Sequence, residues 1–511
     1  MSVTETTTLI PVEESHGLLH ISLAENRLGT RASRLLISQV NKVELDDELL
    51  SLTEYILTDL AHAVMLTRSG IFGREHGRGI VQALLHLLDG DSLSMLHPDP
   101  EVGTLGLQIE QYLERAVGPR GRDIQRARSR IDQKATNWRM INREHLTQVW
   151  KELVLLGDDV LATAERYKDC LMPGYTHLQH SQPTTIDHYL NAHYWALTRN
   201  MDRLRDAYDR LNVCPLGGAA YSGTSWPINR NVTAAYLGFA RPIANARECG
   251  FAAIDMGAEL ASVLASTLSC IGRLASDINY WCSSEVHLAR INAALCGTSS
   301  MMPQKRNPMV LERIRGLAGV AAGWPASQLG VLHTATSTDV DQSYVHNLFP
   351  GQCDETTGAI ALMREVIATI EFDVAGMRTS AGKHWSTASA LADVLVGSCD
   401  LSFRDAHEVV AQLVAAHERA GLGSQLSADI INNHKALQGL TTEQVKAALD
   451  PQVFVDTRTS AGGTCREARK ALASSATTDI QEQHQHIARR VGVVQQGREQ
   501  LLADAQEIVS K

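Results

Sequence analysis

The sequence lacks the features that mark several common classes of protein. Only 14 of its 511 residues are proline, and aromatic residues make up 5%. Its nine cysteines are an odd number, widely scattered and without a Cys-x-x-Cys pair, so we expect reduced thiols in a cytoplasmic protein. Residues 1–16 show no basic-then-apolar pattern of a secretory signal. We expect residues 1–17 to form a mobile arm.

Signals for membrane or nucleic-acid binding are also missing. The most apolar long run, residues 251–278, is interrupted by Asp255, Glu259, Arg273 and Asp277, which makes it too polar to span a bilayer unaided. The formal net charge is -10, and the chain has no long basic block. We therefore expect neither a membrane nor a nucleic acid as a partner.

Motifs for metal and nucleotide chemistry are absent from the sequence as well. His407-Glu408 has no second histidine at ligand spacing, and the pair His484 and His486 has no further ligands nearby. The glycine-rich segment 215–227 follows no predicted strand, which argues against dinucleotide binding. No Gly-x-Ser-x-Gly elbow or phosphate-binding loop occurs. We expect no metal site.

The residues that are abundant favour helix. Ala, Leu, Glu, Gln and Arg recur, and no segment alternates apolar and polar residues for long, so we predict an all-α protein with little sheet. Long amphipathic helices bury their apolar stripes only against one another, which implies a bundle. The predicted helices are 49–64, 79–88, 105–116, 138–161, 186–211, 254–280, one starting at 309, 388–396, 404–420 and 442–449. The predicted domains are an N-terminal helical domain over 1–115, a central helical bundle over 116–375 and a smaller C-terminal helical domain over 376–511.

Residues 297–308 form the first candidate for a functional loop. Ser299, Ser300, Lys305 and Asn307 bring hydroxyl, ammonium and amide groups into one short segment. Gly297 is expected to leave the backbone free to move. Serine, glycine, asparagine and proline are also the standard residues of surface loops, so composition alone leaves both interpretations open.

Three arginines within five residues, among them Arg128 and Arg130, precede a predicted long helix. Free amides at a helix N-terminus favour anions, so these side chains are candidates for binding carboxylates. The alternative is a solvated, charged start of a helix, and in isolation the two interpretations are equally good.

A break between two helices carries Thr176, His177 and Gln182. Functional side chains concentrate in such loops, and all three offer hydrogen-bonding groups. Most isolated histidines are structural, so His177 alone indicates little.

In combination, these segments resemble the fumarase and aspartase superfamily, and specifically its argininosuccinate lyase branch. The resemblance extends in order over roughly residues 50–470 and is most specific in the loop. It rests on 299–308 with Glu312, 128–130, 173–183, 215–230, 403–408 and 460–464. It implies a three-domain, mostly helical subunit, a homotetramer whose active sites combine motifs from three subunits, and cofactor-independent elimination from a succinyl group to leave fumarate.

The resemblance also implies a role for each matching residue. Ser299 is the base, and Lys305 and the loop amides favour its alkoxide. His177, paired with Glu312, gives a proton to the leaving nitrogen or orients a water molecule. The small-molecule dicarboxylate is bound by Asn307, Ser129, Arg130 and Thr176, with Ser300 beside them.

The chain departs from the branch at two places that contact substrate there. Ile131 stands where the branch has an asparagine, and residues 331–342 lack the tyrosine and lysine of the segment that recognises arginine. Lost hydrogen-bonding partners change substrate choice by orders of magnitude. We therefore expect the same elimination with a different leaving amine, from an N-substituted aspartate or a close succinyl derivative. The alternatives are a divergent argininosuccinate lyase and a non-catalytic, crystallin-like protein.

Overall fold

The computed structural model describes residues 30–250, 255–333, 340, 348–421, 435–437 and 439–511. The predicted N-terminal arm and most of the 331–342 segment lie outside these residues. Contacts divide the chain into two units. Unit 1 draws on Met1–Ile141, Val213–Ala252 and Val494–Lys511, and unit 2 on Asn142–Asn212 and Ala253–Val493. The three-domain division stays a prediction.

Unit 1 is a group of helices around one apolar core, which includes Tyr55, Leu60, Ile80 and Leu113. A π-helical turn, Ile37–Asn41, separates its first two helices. The helices that begin in this unit are α1 (Arg34–Leu36), α2 (Lys42–Leu49), α3 (Leu52–Arg68), α4 (Arg74–Asp89), α5 (Ser92–Leu96), α6 (Leu105–Val117), α7 (Arg130–Arg166) and α9 (Arg230–Tyr236). Short 3-10 turns, Pro119–Gln125 and Ala246–Cys249, complete it.

The other helices begin in unit 2. They are α8 (Ile186–Leu211), α10 (Asp255–Trp281), α11 (Met309–Ala321), α12 (Trp324–Val331), α13 (Leu348–Thr369), α14 (Val374–Ala381), α15 (Ala388–Cys399), α16 (Phe403–Arg419), α17 (Thr442–Leu449), α18 (Pro451–Asp456) and α19 (Arg466–Ser510). Helices α7 and α19 each contribute residues to both units. Two further 3-10 turns are Ala293–Leu295 and Lys435–Leu437.

Strands in the described part of the chain are two residues long and form four antiparallel ribbons. The pairs are β1 (Leu171–Met172) with β4 (Thr184–Thr185), β2 (Tyr175–Thr176) with β3 (Gln179–His180), β5 (Ala289–Arg290) with β8 (Glu371–Phe372), and β6 (Gly297–Thr298) with β7 (Arg306–Asn307). The prediction of an all-α protein with little sheet is confirmed.

Helix α10 is the central helix of unit 2. It packs against α8, α11, α12 and α13, and Leu260, Leu264, Leu268 and Ile271 are buried along it. It is long and apolar enough to cross a membrane, but 67% of its apolar stretch is buried inside the protein. Burial of this kind is typical of a core helix.

Local hydrogen bonds explain why some helices begin where the sequence predicts. Thr185 caps α8 by accepting the His188 N–H, and Thr441 forms a capping box with Gln444 at the start of α17. Both helices match their predicted ranges. Helices α15, α16 and α17 enclose a separate apolar cluster that includes Leu395, Leu413 and Val445.

Candidate active site

Residues 297–308 form a hairpin in unit 2. Gly297 pairs with Asn307, and Thr298 pairs with Arg306, so residues 299–305 are the connecting loop. A Cβ atom at Gly297 would lie 1.8 Å from the Met309 sulfur. The backbone at Gly297 is extended and paired. The missing side chain of Gly297 makes room for Met309, and the expected movement of the loop at this glycine stays a prediction.

Ser299 is half-buried at the start of the loop. Its Oγ accepts hydrogen bonds from the backbone N–H groups of Met301, at 3.3 Å, and Met302, at 3.0 Å. Two amides directed at one oxygen stabilise negative charge on it, which is what a serine needs to act as a base.

The other candidates of this hairpin are exposed or partly exposed. Ser300 and Lys305 are exposed, and Asn307 is half-buried. The Lys305 backbone N–H donates to the Met302 carbonyl at 3.1 Å, which closes the loop. Within the described residues, no hydrogen bond joins the Lys305 ammonium group to Ser299.

A second hairpin in unit 2 presents His177 at its tip. Tyr175 pairs with His180 and Thr176 with Gln179, which leaves His177 and Leu178 as a two-residue turn. Both have positive φ, 55° and 60°. Turns of this kind favour glycine and asparagine, and each bulky residue in this region costs roughly 1–2 kcal/mol. Such strain clusters at functional sites.

The surroundings of this hairpin fix its base and leave its tip exposed. Gln182 donates to the Ser389 hydroxyl at 3.1 Å, so its amide group anchors the segment. Thr176 and His177 are exposed, and so is Glu312 in the first turn of α11. In the part of the chain that is described, no ion pair joins His177 to Glu312.

The third group of candidates lies in unit 1, where α7 begins. Arg128 is directed into the interior: its side chain is fully buried, and Nη1 donates to Asp59 Oδ1 at 2.5 Å. Gln133 donates to the same oxygen at 2.6 Å. Burial raises the pKa of Asp59, and the charge of Arg128 opposes that rise. Arg128 supports the segment from inside, a placement that does not favour its predicted contact with substrate.

The residues after Arg128 are more accessible. Arg130 is exposed and lies 3.6 Å from the Glu44 carboxylate, while Ser129 is half-buried. Ile131 packs on Gly250, since a Cβ atom at Gly250 would lie 2.1 Å from Ile131 Cγ2. The position that distinguishes this chain from the branch therefore contacts the 246–250 turn.

Sequence reasoning missed Asp132, which is fully buried beneath this segment. Its carboxylate accepts backbone N–H groups of Ser129 at 2.9 Å, Gly217 at 2.9 Å and Ala219 at 2.8 Å. Burial raises its pKa to about 6, against the effect of these bonds. Asp132 thus ties the carboxylate-binding candidates to the glycine-rich loop. The signal was present, because Ser129-x-x-Asp132 has the spacing of a capping box.

Replacing Asp132 with asparagine is expected to destabilise unit 1 by about 1–3 kcal/mol, because an amide nitrogen would face N–H donors. Denaturant unfolding of the variant measures the loss. Asp46→Asn is the matched control: Asp46 is exposed in a surface ion pair with Lys42, and its loss should cost under about 0.5 kcal/mol. Equal stability of the two variants would contradict the role given to Asp132.

The described residues contain no group of three or more His, Cys, Asp or Glu side chains arranged to hold a metal ion. All nine cysteines are unpaired. The candidate site residues lie in three segments: the start of α7 in unit 1, and the His177 and Ser299 hairpins in unit 2.

Comparison with known proteins decides the family. The model of a family described as lyase matches residues 65–323, and that of the argininosuccinate lyase C-terminal region matches residues 385–456. Argininosuccinate lyase of Methanosarcina barkeri is 32% identical over 460 residues, covering 88% of this chain and 92% of that protein. The chain belongs to the lyase family, in its argininosuccinate lyase branch.

A second relative and two solved structures extend this result. Argininosuccinate lyase of Methanoculleus marisnigri is 35% identical over 82% of this chain and 85% of its own. An EDDS lyase variant with bound fumarate has a TM-score of 0.81 and 30% identity, covering 94% of this chain and 96% of that one. A class II fumarase from Schistosoma mansoni, at 16% identity and a TM-score of 0.64, shares the fold.

The predicted family and the prediction of an enzyme of the carbon–nitrogen lyase class are confirmed. The roles of individual site residues stay predictions.

Proposed function

We propose that this lyase eliminates an amine from an N-substituted aspartate, or a close succinyl derivative, to give fumarate, and catalyses the reverse addition. The observation that carries the proposal is Ser299, whose Oγ accepts two loop amides. The family of the chain supports it, as does the likeness to an EDDS lyase with bound fumarate.

The difficult step is removal of a weakly acidic proton from the carbon beside a carboxylate. Ser299, as alkoxide, takes this proton, and the electron pair spreads into the carboxylate, which becomes doubly negative. The Met301 and Met302 amides hold the serine oxygen, and Lys305 supplies positive charge. The carbanion then forms the double bond of fumarate as the carbon–nitrogen bond breaks.

The leaving nitrogen keeps the electron pair of the broken bond and needs a proton. His177, with Glu312, is the proposed donor. Ser129, Arg130, Thr176, Ser300 and Asn307 are the proposed ligands of the succinyl carboxylates.

The proposed assembly is a homotetramer in the cytoplasm with sites shared between subunits. Exposed apolar side chains on α11 and α12 favour a partner: Met309 is 53% exposed, Val320 64% and Leu329 49%. At the loop tip, Met301 is 86% exposed, which suits a loop that meets another chain.

The elimination is tested by offering the purified enzyme a panel of succinyl amines, argininosuccinate among them, while fumarate is followed by its ultraviolet absorbance. We expect fumarate from at least one N-substituted aspartate and poor turnover of argininosuccinate. Turnover of argininosuccinate as good as that of the best alternative would refute the different leaving group. Absence of fumarate from every compound would contradict the proposed elimination.

A divergent argininosuccinate lyase is the second candidate function, favoured by relatives of that name at 30–35% identity. It would form arginine and rescue an arginine auxotroph.

Shared sites predict complementation between inactive subunits. Arg130→Met and Ser299→Ala chains, each inactive alone, should regain activity when co-expressed, because some sites of a mixed tetramer receive both wild-type segments. Co-purification through two different tags isolates the mixed species for assay. Ser299→Ala with Lys305→Gln is the matched control: both changes lie on one loop, so no mixed site is intact. Equal activity of the two mixtures would contradict shared sites.

A further inference from the structure

The base of the His177 hairpin carries aromatic rings in contact, which we call the ring stack: Tyr175, His180 and His384. The His180 ring contacts both others, with its centroid 5.0 Å from that of Tyr175 and 4.7 Å from that of His384. Tyr175 and His180 are paired residues of the hairpin, whereas His384 belongs to the 382–387 turn between α14 and α15. The ring stack therefore joins the hairpin to this turn.

The 382–387 turn is a firm support for the ring stack. His384 and Trp385 both have positive φ, 54° and 58°, a conformation that is costly for residues other than glycine and persists only where surrounding contacts fix it. Ser386 is buried and donates to a backbone carbonyl at the end of α14, at 2.5 Å. The Trp385 ring packs on the fully buried His417 of α16, with centroids 5.3 Å apart. These contacts hold the turn in its strained shape.

The hairpin itself depends on contacts at its base. Its tip is exposed, and Leu178, beside His177, has 64% of its surface accessible. The hydrogen bond from Gln182 to Ser389 is a second link to this part of unit 2, but it joins two exposed side chains. Aromatic contacts of partly buried rings are the more persistent of the two kinds of link. Loss of the ring stack should therefore loosen the hairpin and, with it, His177.

The charge of the His180 ring affects the ring stack. In the described part of the chain, its Nδ1 atom is buried and has no hydrogen-bond partner. Burial lowers the pKa of His180, and positive charge on His384 and Lys383 lowers it further. The remaining titratable groups beside the stack are phenols: Tyr175, whose pKa is raised by burial, and Tyr280, which contacts the Tyr175 ring. Among the described residues, no carboxylate acts on His180 to stabilise a proton.

A lowered pKa means that the hairpin docked on the turn favours the neutral form of His180. Above the ordinary histidine pKa of about 6.5, the ring is neutral whether the hairpin is docked or released, so docking keeps its full stability. Below that pH, the released hairpin binds a proton that the docked hairpin excludes. Each pH unit then weakens the docking equilibrium by up to about tenfold, until the pKa of the docked form is reached.

We propose that the ring stack positions His177 to give a proton to the leaving nitrogen, and that it does so only while His180 is neutral. His180 and His384 are positioning residues, which act through His177. This inference rests on the proposed elimination and adds to it a loss of activity on the acid side that comes from the hairpin.

His180→Phe separates the ring from its charge. Phenylalanine keeps an aromatic ring in the stack, cannot be protonated, and removes the buried nitrogen that has no partner. At about pH 8 its kcat should stay within about 3-fold of wild type, and it should fall less than the wild-type kcat as the pH is lowered to about 5.5. Steady-state kinetics on a turned-over succinyl amine, measured across this range, give kcat and KM.

His180→Ala removes the ring altogether. It should lower kcat by roughly 10- to 100-fold at every pH, the range expected when a reacting group is misplaced. KM should change less than about 3-fold, because a proton donor acts on the transition state rather than on substrate binding. The rescue of kcat by phenylalanine at the same position distinguishes the ring from the imidazole nitrogens.

Two further variants test the role of charge. Lys383→Gln removes the exposed cation that lowers the pKa of His180, so the acid loss of kcat should become smaller while kcat at about pH 8 is unchanged. His193→Phe is the matched control: burial lowers the pKa of this histidine too, but its ring packs on Tyr189 of the same helix. Its acid loss should equal that of wild type.

Hydrogen–deuterium exchange tests docking without any substrate. After correction for the intrinsic effect of pH, the backbone amides of residues 175–182 should exchange faster below about pH 6.5 than above it in wild type. In His180→Phe this change should be lost, and in His180→Ala exchange should be fast at every pH.

The outcomes distinguish this inference from the proposed function. An acid loss of kcat in His180→Phe equal to that of wild type, or a kcat of His180→Ala within about 3-fold of wild type, overturns the inference and leaves the elimination standing. Exchange of residues 175–182 that is the same in all three proteins also overturns it. Absence of fumarate from every succinyl amine overturns the elimination and the positioning of the donor together, while the exchange measurement still decides whether the ring stack holds the hairpin.

Discussion

Ser299→Ala should lower kcat by roughly 10²- to 10⁴-fold, the range for loss of a general base. The backbone N–H groups of Met301 and Met302 both donate to the Ser299 hydroxyl oxygen. Alanine has no oxygen at this place, so the variant has no group that could accept the substrate's proton. The Gly297–Asn307 pairing that holds the hairpin does not involve the side chain, so the fold should persist. Steady-state kinetics on a turned-over succinyl amine, together with size-exclusion chromatography, measure both effects.

Ser300→Ala is the matched control for this change. Ser300 is the adjacent, exposed hydroxyl, and as a proposed ligand of the substrate it should contribute about one hydrogen bond, or roughly tenfold in kcat/KM. If Ser299→Ala stayed close to wild type while Ser300→Ala lost turnover, the base would be Ser300.

Lys305→Gln should lower kcat by roughly 10²- to 10³-fold, as for loss of a group that stabilises developing charge. Without the ammonium group the serine alkoxide is less favoured, so the pKa of the base rises and the acidic limb of the kcat profile moves to higher pH. The pH dependence of kcat, compared between variant and wild type, measures this shift.

Arg306→Gln tests whether the effect on the serine alkoxide is specific to Lys305 or follows from the loss of any positive charge in this loop. Arg306 is the next residue, exposed and paired through its backbone with Thr298, so its replacement should leave the pH profile in place. A Lys305→Gln variant with unchanged kcat and pH profile but raised KM would assign Lys305 to substrate binding instead.

Helices with strong local signals could be predicted from the sequence closely. Helices α8 and α17 match because Thr185 and Thr441 supply caps immediately before amphipathic runs. The sequence pattern does not predict helix α19. Its 45 residues pack against different neighbours along its length. Asp479 accepts a hydrogen bond from the Tyr194 hydroxyl of α8, whereas Leu501 and Ala505 are buried in the core of unit 1. The helix therefore has no single continuous apolar stripe by which the sequence would predict it.

Part of the candidate site could be predicted from the sequence. The segments holding Ser299 and His177 could be located as loops, and the structure places both on hairpin turns. Sequence could not show that Arg128 turns inward to Asp59, a residue 69 positions earlier, while Arg130 faces outward. Nor could it show that the Met309 side chain leaves no room for a side chain at position 297, because both facts depend on how side chains pack in three dimensions.

The most direct measurement of the proposed chemistry is the reverse reaction in D₂O, with fumarate and a panel of amines analysed by NMR. Addition through a single base predicts an N-substituted aspartate carrying one deuterium at the carbon that receives the proton, on one face only, and no product with Ser299→Ala. Failure of every amine to add, or equal product from wild type and Ser299→Ala, would contradict elimination and addition at Ser299.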